Sequence, residues 1–148
     1  TVFERLRDSR GYIVIDQGTV HKYTTDELED ILDGLGELSR KARGLPHQIT
    51  SSVKFTKDQV LYLKTMGNNV IGFAKIYRNK KSFKMDEFGG YQEIKITALI
   101  DFYIHPTFEL QGYGKSLLDH IIDVENLPKN QLGIYKPTKI FIKFLSKC

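Results

Sequence analysis

The sequence predicts one α+β domain organised around a largely antiparallel sheet. Two observations carry this reading. Strand-like runs at 11–16, 59–65, 70–77, 91–105 and 131–135 outnumber the helical stretches, and three of them succeed one another with only turns or a loop between. Apolar stripes with three- and four-residue spacing mark the helices, one before this block and two after it. The 148 residues, 41% of them hydrophobic, suffice for one domain with a real core and are too few for two.

GYIVID, residues 11–16, reads as the first strand. Thr24, with Glu27 three residues later, has the spacing of a capping box and opens a helix. Leu28, Ile31, Leu32, Leu35 and Leu38 form its apolar stripe, Gly34 and Gly36 weaken its middle, and Gly44 with Pro46 ends it. QVLYLKT and VIGFAKIY, joined by Met66-Gly67-Asn68-Asn69, predict a hairpin. The polar, basic stretch 78–90 reads as a mobile loop or a ragged strand extension. YQEIKITALIDFYIH, 91–105, is the longest strand-like run, and a bend or bulge is expected where Asp101 interrupts its apolar pattern. KSLLDHIIDV, 115–124, predicts a helix carrying Leu117, Leu118, Ile121 and Ile122 on one side. QLGIY is a short strand, and Pro137 suits the first turn of a last helix with Ile140, Phe141, Phe144 and Leu145 inward.

Composition narrows the function classes. No apolar run is long enough to span a membrane, and TVFERLRDSR lacks the apolar core of a signal peptide. Cys148 is the single cysteine, so no internal disulfide framework is expected, and four scattered histidines give no zinc spacing. A net charge of +4, from 22 Lys+Arg and 18 Asp+Glu, suits an anionic ligand or an acidic protein surface and does not call for nucleic acid. The lysines and arginine cluster at Lys75, Arg78, Lys80, Lys81 and Lys84, and at Lys136, Lys139, Lys143 and Lys147.

The chemistry-bearing segment is Gln111-Gly112-Tyr113-Gly114, where a strand hands over to a helix. The first amides of a helix have no partners within it, and glycines let a ligand approach the backbone closely. Aligned amides and the helix dipole favour an anion, which makes a pyrophosphate the candidate ligand at 110–115, with a plain strand-to-helix turn as the alternative. The segment matches neither a P-loop nor a three-glycine dinucleotide fingerprint.

This turn, between a long strand and an amphipathic helix, resembles the signature of the GNAT superfamily of acetyltransferases. Gln/Arg-x-x-Gly-x-Gly/Ala corresponds here to Glu109-Leu110-Gln111-Gly112-Tyr113-Gly114, with a carboxylate at the first position. IGFAKIYRNKK, LIDFYIHPTFELQGYGKSLLDHII, KPTKIFIKFLSK and LGELSRKARGLPHQITSS are similar to the α-tubulin N-acetyltransferase family over most of the chain. Members of that family continue for two strands past the last helix, so a shortened C-terminal end is expected after Cys148.

The resemblance implies a single GNAT-like domain over 1–148, a mixed, mostly antiparallel sheet flanked by helices, and acetyl-CoA as cofactor. It places backbone groups of Phe102, Tyr103 and Ile104 along the pantetheine and acetyl carbonyl. Leu110, Gln111, Gly112, Tyr113, Gly114 and Lys115 would lie at the pyrophosphate, and Thr138, Lys139, Lys143, Phe144 and Lys147 would line the other side. The implied acceptor is a lysine on the luminal loop of α-tubulin, which sets the protein on cytoplasmic microtubules, including ciliary or flagellar axonemes. Direct attack by a neutral amine needs a path for its proton, and a backbone amide of a bulged strand can steady the oxyanion.

The family's polar catalytic residues are altered. Its glutamine aligns with Arg43, its late-strand aspartate with Tyr135 and its cysteine with Ala98. Arginine cannot accept a proton near neutral pH, and tyrosine is a poor base unless its pKa falls far. Asp101 is retained as the candidate catalytic carboxylate; His47, His105 and Glu109 are further conceivable bases. Two readings stand side by side: a divergent lysine acetyltransferase, or an inactive relative that binds microtubules, with or without acetyl-CoA. A third is a GNAT enzyme acting on another amine.

Overall fold

The computed structural model describes residues 5–22, 26–51, 55–67, 69–127 and 132–134. Its centre is a five-stranded sheet in chain order: β1 (Tyr12–Asp16), β2 (Gln59–Met66), β3 (Asn69–Met85), β4 (Tyr91–Ile104) and β5 (Leu132–Ile134). The first four strands pair antiparallel; β5 runs parallel to β4, with Thr97, Ala98 and Leu99 opposite Leu132, Gly133 and Ile134. Around it lie α1 (Gln17–Lys22), α2 (Asp26–Arg43), a 3-10 turn at Pro106–Phe108 and α3 (Tyr113–Val124).

Alternation along the strands divides the core between the two faces of the sheet. Tyr12, Val60, Tyr62, Ala74, Ile76 and Leu99 pack with Leu117, Leu118 and Ile121 of α3. Ile13, Ile15, Leu61, Leu63 and Phe73 pack with Leu28, Leu32 and Leu35 of α2 on the other face. Each fully buried leucine of this kind contributes about 1.5–3 kcal/mol relative to exposure. The result is a helix–sheet–helix sandwich whose two helical layers meet the sheet independently.

Strand β4 breaks the alternation at one point. Lys75 pairs with Asp101 and Ile76 with Leu99, so Ile100 has no opposite number and forms the expected bulge. One extra residue inverts the facing of every residue after it. Leu99 and Ile104 consequently share the α3 face although they are five residues apart, while Tyr103 faces α2. Asp101, opposite Lys75, is carried to the α2 face by the same step.

Several expectations are corrected by the structure. Strand β3 runs past Tyr77 to Met85, with a kink at Asn79 (φ 56°), so of the two readings of the basic stretch the strand extension holds and the loop does not, apart from a short turn at 86–90. Helix α1 is an element the sequence did not announce, and α3 starts two residues earlier than expected. Leu38 is exposed, and the buried position at the end of α2 belongs instead to Ser39. Gly36 is there for a reason other than helix weakening: a Cβ would lie 1.7 Å from the carbonyl oxygen of Thr50, so only glycine admits the 49–51 segment this close to α2. The capping residue Thr24 and the last helix lie outside the described residues.

Candidate active site

The glycine turn is assembled by local chemistry. His105 Nδ1 accepts a hydrogen bond from the Thr107 amide at 3.2 Å, and Pro106 begins the 3-10 turn. The chain then leaves Glu109 extended, bends through Leu110 (φ 64°) and Gly112 (φ 83°, ψ 0°), and enters α3 at Tyr113. A Cβ at Gly112 would meet nothing within 4 Å, so it is the left-handed backbone that requires glycine there. No side chain caps the helix at Gly112, and the first helical bond runs from Ser116 N–H to Gly112 C=O at 3.0 Å. The amides of Gly112, Tyr113 and Gly114 donate to no backbone acceptor among the described residues. Leu110, Gln111, Gly112 and Lys115 are exposed, Leu110 to 95%, and no layer of described side chains seals the turn. Tyr113 is half-buried, edge-on to Phe108 at 5.8 Å, whereas Gly114 is buried. Lys115 pairs with Asp119 at 2.8 Å in an exposed i,i+4 contact of small energetic weight.

Upstream, β4 presents Phe102, Tyr103 and Ile104. β3 approaches this end so closely that a Cβ on Gly72 would lie 2.8 Å from Tyr103 C=O. The Phe102 amide donates to Asp101 Oδ1 at 3.0 Å. The Tyr103 phenol is held above its ordinary pKa by burial and, secondarily, by Glu109, and so stays protonated. Ala98 is buried between Tyr77 of β3 and Gly133 of β5.

Asp101 is the most heavily bonded side chain at the site. Its carboxylate accepts from Ser39 Oγ at 2.5 Å, Thr50 Oγ1 at 2.6 Å and an Arg43 guanidinium N–H at 2.8 Å, besides the Phe102 amide. The Arg43 and Asp101 side chains are only 10% and 1% exposed. Lys75, opposite Asp101, is fully buried; its ammonium donates to Ile49 C=O at 3.3 Å and lies 4.5 Å from the centre of the Phe55 ring. Ser51 Oγ is buried and finds no hydrogen-bond partner among the described residues.

Lysine and arginine clustering does not survive intact. Lys75 is consumed in the core, and Arg78 makes a two-pronged contact with Glu125 at 2.5 and 2.7 Å. The β3–β4 arm exposes Phe83, Met85 and Tyr91 along it and Phe88, 90% exposed, at its tip, interspersed with exposed charged residues such as Lys81, Lys84, Glu87 and Lys95. Asp86 Oδ1 fixes that tip by accepting from the Phe88 and Gly90 amides.

A family profile described as GNAT acetyltransferase, Mec-17, matches residues 6–148. The chain belongs to this family. Among curated Mec-17-like relatives, it is 36% identical over 137 residues to an alpha-tubulin N-acetyltransferase of Schistosoma japonicum, covering 84% of this chain and 51% of that protein. It is 35% identical over 122 residues to one of Tetrahymena thermophila, covering 82% and 30%. The chain therefore spans about half the length of the first relative and less than a third of the second. The GNAT fold also appears in its similarity to the xEco2 acetyltransferase domain bound to a CoA conjugate: TM-score 0.67, 9% identity, covering 95% of this chain and 88% of that one.

The structure brings Asp101, Arg43 and the 102–104 strand segment together and sets the 110–115 turn at the end of the same strand. His47, His105 and Glu109 are exposed, and no hydrogen bond or ion pair described above links them to the buried cluster. Tyr135, Thr138, Lys139, Lys143, Phe144 and Lys147 lie outside the described residues. Ser39 and Thr50 escaped the sequence reading: both look like ordinary polar residues until the fold sets them against Asp101, 62 and 51 positions away.

Proposed function

We propose that this Mec-17 family member is an acetyl-CoA-dependent lysine N-acetyltransferase acting on a luminal-loop lysine of α-tubulin, at work on microtubules in the cytoplasm and in cilia or flagella. The observation that carries the cofactor half is the glycine turn. Its amides at the start of α3 are uncommitted among the described residues, its backbone is bent by Gly112, and its surface is open. A diphosphate fits there: main-chain N–H groups of residues 112–114 supply directional donors and the helix start supplies positive potential. Lys115 and, beyond the described part, Lys139, Lys143 and Lys147 add cationic charge. The backbone of 102–104 would carry the pantetheine arm. Acetyl-CoA supplies an activated acetyl group. The chain must bring a neutral amine to it, guide the amine proton away and exclude competing water as the C–N bond forms and the C–S bond breaks. The substrate half is supported by the named relatives and by the β3–β4 arm, whose exposed Phe83, Met85, Phe88 and Tyr91 offer contact area to a protein.

Titration calorimetry with acetyl-CoA, and then acetyl transfer to assembled microtubules, tests the reading. Gly112→Val should abolish cofactor binding, since a β-branched residue resists φ 83°. Retained binding in that variant would remove the turn from the cofactor site.

A second reading is favoured by one specific set of residues. By the resemblance, Arg43, which is spent on Asp101, stands at the family's glutamine position and Tyr135 at its aspartate position. A chain altered in this way could bind microtubules without transferring acetyl groups. Tyr135→Asp decides between the two: transfer gained only in the variant establishes the inactive reading, and transfer already present in the parent excludes it. Arg43→Gln is a poor partner for that substitution, because it strips a buried carboxylate of its counter-charge.

A further inference from the structure

We infer that Asp101 is a positioning residue and not the proton acceptor: it ties the wall formed by Arg43 and residues 49–51 to the strand that continues into 102–104. Four donors converge on one buried carboxylate, from α2 (Ser39, Arg43), from the segment after it (Thr50) and from the peptide that begins the cofactor strand (Phe102). Both of its oxygens are already engaged, Oδ1 by Ser39, Arg43 and the Phe102 amide and Oδ2 by Thr50. Its geometry suits holding. Ser39, Thr50 and Phe102 cannot all keep their bonds unless α2, the 49–51 segment and the bulged strand stay in register.

Three further features secure the same segment. Lys75 donates to Ile49 C=O from the adjacent strand, opposite Asp101. Its ammonium also rests against Phe55, four residues past the end of the segment. Gly36 lets the Thr50 carbonyl come within a distance that any side chain would block. Lys75, itself packed against Phe55, thus holds Ile49 while Asp101 holds Thr50, and the two together fix the 49–51 segment to the sheet. The segment borders Asp101 and, through that carboxylate, both Phe102 and Arg43. Its place in catalysis rests on the acetyltransferase reading; its rigidity does not.

The experiment uses the full chain and three variants: Ser39→Ala with Thr50→Val, Asp101→Asn, and Thr50→Ser. Hydrogen exchange at the amides of residues 49–51 should speed up at least tenfold in the first two, and Thr50→Ser, which keeps a hydroxyl, should retain the parent's protection. The Kd for acetyl-CoA should stay within about twofold, while transfer to microtubules falls tenfold or more in the Ser39→Ala/Thr50→Val variant, although its carboxylate is intact. Asp101→Asn should lose activity equally from pH 6 to 9.5. Parent-like exchange in the hydroxyl-less variant overturns the positioning role. Recovery of Asp101→Asn towards parent activity at high pH, where the amine sheds its own proton, would instead identify Asp101 as the base. If the parent transfers no acetyl group, the acetyltransferase reading fails, and the exchange measurements still decide the inference on its own terms.

Discussion

On the α2 face of the sheet Arg43 meets Asp101 with both side chains almost sealed from water; on the α3 face Arg78 meets Glu125 with the arginine 42% exposed and the carboxylate 8%. Both contacts join an arginine to a carboxylate at 2.8 Å or less, yet they differ in kind. Asp101 answers donors from three separate segments, whereas Glu125 answers Arg78 and the Tyr62 hydroxyl. The first pair knits the chain around the candidate site. The second closes the end of a helix, and its arginine can fall back on solvent if released. Similar chemistry at different depth gives a tie that cannot be undone locally and one that can.

The sharpest way to break this comparison is to delete each carboxylate in turn. Asp101→Ala should cost about 3–5 kcal/mol, because Arg43 is left charged, buried and uncompensated. Urea denaturation measures it, and a loss no greater than that of Glu125→Ala would erase the proposed difference. Next in size is Gly36→Ala, where the new methyl would overlap the Thr50 carbonyl; the α2 face should loosen at a cost of about 1–3 kcal/mol. Helix propensity alone would make the same change stabilising, so even the sign is informative. Glu125→Gln on the opposite face should cost about 1 kcal/mol and lose much of its effect in high salt, as a partly exposed ion pair does.

The smallest effect concerns pH. His120 of α3 is stacked on Tyr12 at 3.8 Å, with Arg10 3.4 Å from its Nδ1. Burial, and then the neighbouring Arg10 charge, lower its pKa below the ordinary histidine value. The neutral ring is thus the folded form. Its contribution to stability is complete above pH 6.5 and is lost as pH falls through the lowered value. Parent and His120→Phe should therefore differ in their melting-temperature slope between neutral and mildly acidic pH, with the parent the steeper. Asp101 variants should leave that slope in place.

The two faces also differed in how far the sequence revealed them. Alternation exposed the strands, and three- and four-residue spacing exposed the stripes of α2 and α3, because repeated apolar positions are a local signal. The bulge was legible as well, since Asp101 interrupts an apolar run. Partners of Asp101 were not: Ser39 falls beside the apolar stripe of α2 as one more polar residue, and Thr50 sits in a loop. Only the fold brings residues so far apart in the chain to one carboxylate. Basic clustering misled for a related reason. Charge along a chain says nothing about depth, and Lys75 is interior while Arg78 is paired. His120 was hidden in the same way, on the buried side of a helix whose leucines and isoleucines dominated its pattern.

The unpaired Ile100 acts as a half-step in a two-step rhythm. Upstream of it, β4 shows Leu99 to α3; downstream, the odd-numbered side chains Asp101 and Tyr103 point towards α2. Were Ile100 instead paired in a regular ladder, Asp101 would turn against the leucines of α3 and Ile104 would face α2. A single insertion thus lets Leu99 and Ile104 serve one apolar layer while Asp101, between them, is delivered to a charged junction on the opposite face.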